Sequence, residues 1–81
     1  MLIKTADDAL KEMKAEAAAI AYHYLEDAKP RTLAAIKFLV IKGWGGEDII
    51  WEITQIYGIT EERNRAKIKI VVNALLEERN E

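Results

Sequence analysis

The chain has 81 residues, of which 51% are hydrophobic and 32% charged, and its net charge is -2. That length holds a single domain, residues 1–81, and the balance excludes a disordered chain, while near-neutrality argues against a partner held by bulk electrostatics alone. The absence of cysteine excludes disulfides, thiol chemistry and thiolate metal sites.

The start, MLIKTADD, has no long apolar run and does not read as a signal peptide. The most apolar stretch, residues 33–41, contains Lys37 and is too short to span a bilayer. The cytoplasm is the default expectation. Strand signals are missing. One proline and four glycines punctuate the chain at three places, with segments of helical period between them.

The first predicted helix covers residues 5–28. Thr5 suits an N-cap, and Asp7 and Asp8 fall in the first turn, where the helix dipole favours anions. Leu10, Met13, Ala17, Ile20 and Tyr24 recur at near-heptad spacing, with Lys11, Glu12, Lys14 and Glu16 elsewhere on the surface. Alanines fill the middle and admit a close neighbour. Such a helix is on the order of 36 Å long, long enough to overhang so small a domain. Its seam is the expected dimer contact.

Pro30 ends this helix, because the residue before a proline is driven out of the helical region. The second helix, residues 31–42, carries Leu33, Ala34, Ile36, Phe38, Leu39, Val40 and Ile41 around most of its girth, which predicts a buried helix. The loop KGWGGED follows, with Gly43 suited to a left-handed C-cap. The third helix, residues 46–57, is expected to face inward through Ile49, Ile50, Ile53, Ile56 and Tyr57, with Glu52 and Gln55 outward.

Gly58 ends the third helix, and Thr60 is expected to cap the fourth, residues 60–79. At 100° per residue Ile68, Val71, Val72 and Leu75 share one side, while Ile70 and Ala74 lie nearly opposite. The polar strip is narrow, so this helix is either central to the fold or covered on its second side by another chain. Ile70 and Ala74 therefore join the expected oligomer interface.

KGWGGEDIIWEITQIYGIT resembles the first helix and turn of the helix-turn-helix superfamily, over roughly residues 31–78. The matching features are the glycine-bearing loop at Gly43, the acidic start at Glu47 and Asp48, the apolar Ile49, Ile53 and Ile56, and the turn Gly58-Ile59-Thr60. The resemblance implies a left-handed glycine at the turn, an apolar plug after it and a recognition helix beyond. The missing strand signals and the four periodic segments give an all-α fold, a four-helix domain with a long N-terminal helix, and the resemblance implies that the rest is a tri-helical, helix-turn-helix-like core. The family places an apolar anchor about five positions after the plug. Here that place holds Asn64, and Ile68 follows a turn later, as in winged-helix relatives whose recognition helix starts late; no wing follows before Glu81.

If the fourth helix enters DNA, Arg63, Arg65, Lys67, Lys69 and Asn73 are the contacts. Arginine binds guanine edges in two-point fashion, lysine neutralises phosphate and asparagine reads adenine. The competing reading makes them a solvated face paired with Glu61, Glu62, Glu77 and Glu78.

His23 and Asp27 stand one helical turn apart, close enough for a carboxylate to orient an imidazole. No serine or cysteine is present to serve as nucleophile, so no enzyme, small-molecule substrate or cofactor is expected. Glu16, His23, Glu26 and Asp27 are too scattered for a metal site. Trp44 and Trp51 read either as a contact surface or, for Trp44, as a lid over the core. Two functions remain: a dimeric DNA-binding transcription regulator acting on double-stranded DNA, or a helical self-association module, natural or designed, without nucleic acid.

Overall fold

Thr5 opens the first helix as a cap, its Oγ1 accepting the Asp8 N–H at 3.2 Å. The computed structural model describes residues 5–79, and these form four helices with no strand among them. Helix α1 runs Ala6–Ala28 and ends where Lys29 leaves helical geometry (φ -140°, ψ 60°) ahead of Pro30. Helix α2, Pro30–Ile41, starts on that proline, one residue earlier than expected. Proline fits the first helical position, where the missing N–H has no partner to lose. Helix α3 spans Gly46–Ile56 and α4 spans Glu62–Arg79.

The two glycine-bearing joints share one geometry. After α2, the Gly43 N–H donates to the Val40 carbonyl and the Trp44 N–H to the Leu39 carbonyl, each at 3.1 Å. After α3, the Gly58 N–H donates to Gln55 at 3.3 Å and the Ile59 N–H to Thr54 at 2.9 Å. Both are Schellman motifs, which require a left-handed residue just past the helix. Gly43 at φ 89° and Gly58 at φ 61° supply it. The second joint then carries Ile59 into the core.

Helix α4 starts two residues later than expected. The Arg65 N–H donates to the Glu61 carbonyl at 3.0 Å, so Thr60 lies in the connection and does not cap the helix. At the other end the Arg79 guanidinium donates to the Val40 and Trp44 carbonyls at 3.1 and 3.0 Å. It ties the last turn of α4 to the joint between α2 and α3.

Helix α4 touches each of the other three helices, and α1 packs against α2 and α4. Leu25, Ile36, Ile49, Ile53, Ile68, Val71 and Val72 are fully buried, with Ala21, Leu33, Val40 and Ile59 around them. Each large aliphatic side chain contributes about 1.5–3 kcal/mol by leaving water. Thr54 is buried too, its hydroxyl donating to the Trp51 carbonyl at 3.0 Å.

Three expectations of burial are corrected. Helix α2 is open on one side: Phe38 and Ile41 are 57% and 82% exposed, because no element packs beyond it. Ile56 is 62% exposed and Tyr57 is exposed as well. The Schellman turn reverses the chain there and gives Ile59 the core place. Glu52, expected to face out, is half-buried. Helix α1 meets the core through Ala21 and Leu25, a face rotated from the seam through Leu10, Met13 and Ile20, which stays exposed. Every residue from 5 to 16 is exposed, and the described chain measures 49 × 25 × 19 Å.

Ile53→Ala is expected to lower stability by about 2–5 kcal/mol in urea unfolding followed by circular dichroism, since it leaves a void at the α3–α4 contact. Gly58→Ala meets no atom within 4 Å of an added Cβ. Its expected cost is therefore the left-handed backbone alone, about 1–2 kcal/mol by the same measurement.

Candidate nucleic-acid interface

Placing residues around α4 at 100° each separates three faces. Ile68 and Val72 point into the core, and Val71, with half-buried Lys67 and Ala74, points toward α1. Ala66, Lys69, Asn73 and Glu77 lie on the open side and are exposed. Arg63 and Arg65 flank that open side, both exposed. Among the described residues no ion pair or hydrogen bond engages the side chains of Arg63, Arg65 or Lys69. The face is solvated, as the competing reading expects, but among the described residues these three do not pair with Glu61, Glu62, Glu77 or Glu78.

Arg65 and Lys69 stand one helical turn apart and line a shallow groove with Ile50, Thr60, Glu62 and Ala66. Lys67 is placed differently. Its ammonium sits 3.7 Å from the centre of the Tyr24 ring, a cation–π contact that points it toward α1 and away from the open side. Asn73 is exposed beside Ile70 and Ala74. The four cations thus divide: Arg65 and Lys69 together, Arg63 on the other flank, and Lys67 held by an aromatic ring.

Asn64 has a physical account in this arrangement. It faces α1, where the Tyr24 hydroxyl donates to its Oδ1 at 3.5 Å, while its Nδ2 donates to Glu61 Oε2 at 3.3 Å. A polar side chain is accommodated at this position because a tyrosine hydroxyl meets it there. The Glu61 carboxylate is taken up by the same contact. That leaves Arg63, Arg65, Lys67 and Lys69 against Glu62 as the charge on the first half of α4.

The expected oligomer residues fall into two groups. Ala17, Ile70 and Ala74 line one groove between α1 and α4, with Lys14 and Glu77 at its edges. Leu10, Met13 and Ile20 are 50%, 66% and 68% exposed along α1. Tyr24 is half-buried, turned toward α4 by its contacts with Asn64 and Lys67.

His23 Nδ1 lies 3.8 Å from Glu26, with both side chains exposed, so Glu26 and not the expected Asp27 is its neighbour. Among the described residues no three histidine, cysteine or acidic side chains gather to hold a metal. No helix there is long and apolar enough to cross a membrane. The Lys37 pKa is raised, first by its hydrogen bond with Tyr22, against an opposing effect of desolvation and with help from the charges of Tyr22 and Glu26.

Trp44 and Trp51, expected as a contact surface or, for Trp44, as a lid, share a depression with Asp48 and Glu52, and neither indole is buried. That the two meet depends on the path of the loop between them, which their spacing of seven residues does not reveal. Against family models, curated proteins and solved structures alike, the chain finds no match.

Proposed function

We propose that this protein is a small DNA-binding regulator that meets double-stranded DNA through α4. The observation that carries this reading is the open side of α4, where Arg65 and Lys69 are exposed and unpaired among the described residues and Arg63 flanks them. Cations left without carboxylate partners are available to phosphates, and an exposed helix is the element that fits a major groove. Gly58 and Ile59 support it further, since a left-handed glycine followed by a buried plug sets α4 at an angle to α3. Asn73 lies exposed on the same open side, and asparagine is a side chain that can read adenine. Lys67, committed to Tyr24, drops out of the direct contacts. A pair of chains presents this face twice, as half-site recognition requires.

The second reading, a helical association module without nucleic acid, draws on the exposed seam of Leu10, Met13 and Ile20. The two readings share self-association and differ in one titration. Binding to a labelled duplex, followed by fluorescence anisotropy, is expected to weaken with salt. The slope is about -0.9 in log K against log salt for each phosphate met, or about -2 for Arg65 and Lys69 of one chain. Arg65→Ala and Lys69→Ala are each expected to flatten that slope by about one and leave the helical circular dichroism signal intact. No binding at low salt, or binding indifferent to both substitutions, would leave only the association module.

A further inference from the structure

The first turns of α1 bury nothing, and only from Lys14 and Ala15 onward does the helix line grooves with α4. Residues 5–16 are all exposed, although Leu10 and Met13 lie among them. A helical segment of about this length is marginal in water without packing. Its apolar seam lies beside the face that meets α4, so α1 is free to bind α4 and a second helix at once.

We infer that two copies of this chain pair antiparallel along α1, about a twofold axis near Ala17, and that Asp7 of each copy docks against the cationic start of the other's α4. This goes beyond the DNA-binding reading and stands without it.

The register follows from contacts within one chain. Helices α1 and α4 run antiparallel: Tyr24 is level with Asn64 and Lys67, and Ala17 and Ala18 share a groove with Ala74. In an antiparallel pair centred on Ala17, a residue n positions before it meets the residue n positions after it. Leu10 then falls level with Tyr24 of the partner subunit. Met13 falls level with Ile70 of the partner subunit, on the groove floored by small side chains. Asp7, about 15 Å from the axis, arrives just beyond.

Charge decides which surface Asp7 meets. Around α1 it lies on the flank that carries α4, about 100° from the seam. Across an antiparallel pair, like flanks face each other. Asp7 therefore reaches the first turns of the partner's α4, at the level of Arg63 and Lys67 of the partner subunit. The overhang that is idle in one chain has an apolar and a charged counterpart in the second. Arg63 turns to this contact, while Arg65 and Lys69 stay on the opposite flank.

Sedimentation equilibrium on the full chain, without DNA, is expected to give twice 9.2 kDa at about 100 μM. The chain has no cysteine, so introduced thiols report cleanly on register. Met13→Cys and Ile20→Cys sit at exposed positions that tolerate change. An equal mixture of the two is expected to form a mixed disulfide under mild oxidation. Met13→Cys alone is expected to form none, its two copies lying about 12 Å apart along the axis. Arg63→Glu is expected to weaken the dimer about tenfold, and adding Asp7→Lys to restore most of the loss. A monomer at that concentration overturns the proposal. So does rapid disulfide formation by Met13→Cys alone, which marks a parallel pair, or a charge reversal without recovery. Loss of duplex binding in Arg65→Ala with the dimer intact tests the other reading and leaves this one standing.

Discussion

Helix α4 must satisfy three neighbours with one cylinder of side chains, and the architecture follows from that demand. Ile68 and Val72 fill the side toward the core, Val71 reaches toward α1, and Asn64 meets a tyrosine on the same side. A helix used this way has no broad polar face. What remains open is a narrow strip through Ala66, Lys69, Asn73 and Glu77. Glu61 is bonded to Asn64, while Glu62 lines the groove of Arg65 and Lys69 without pairing with either.

Backbone chemistry made the element boundaries readable. Pro30, Gly43 and Gly58 each act through their own φ restriction or freedom, whatever surrounds them, so the three joints fall where the sequence analysis places them. The all-α fold and the burial of Ile49, Ile53 and Ile68 follow from periodicity in the same way. Which apolar faces would be covered was not readable. Periodicity says that Phe38 and Ile41 are apolar, but only the path of the chain decides that nothing packs over them. The same limit applies to α1, where the seam and the core face are neighbouring stripes of similar composition.

The candidate interface was half legible. A run of basic residues is visible in any sequence, yet their sorting depends on a partner 40 residues away. Tyr24 claims both Lys67 and Asn64. That single residue removes one cation from the open side and gives the polar Asn64 a partner on the side facing α1. The division between Arg65 and Lys69 together and Arg63 apart follows instead from the 100° step of α4 itself and is legible in the sequence.

The Arg79 guanidinium on the Val40 and Trp44 carbonyls changes how the molecule comes apart. Helix ends ordinarily fray first. Here the tail of α4 is riveted to the joint after α2, so the earliest opening shifts to the solvent-surrounded beginning of α1. Amide protons near the two chain ends should thus exchange at unequal rates: fast through the first turns of α1, slow at the close of α4. The indole of Trp44, attached to the very peptide that Arg79 grips, is a built-in optical witness to the moment that rivet lets go.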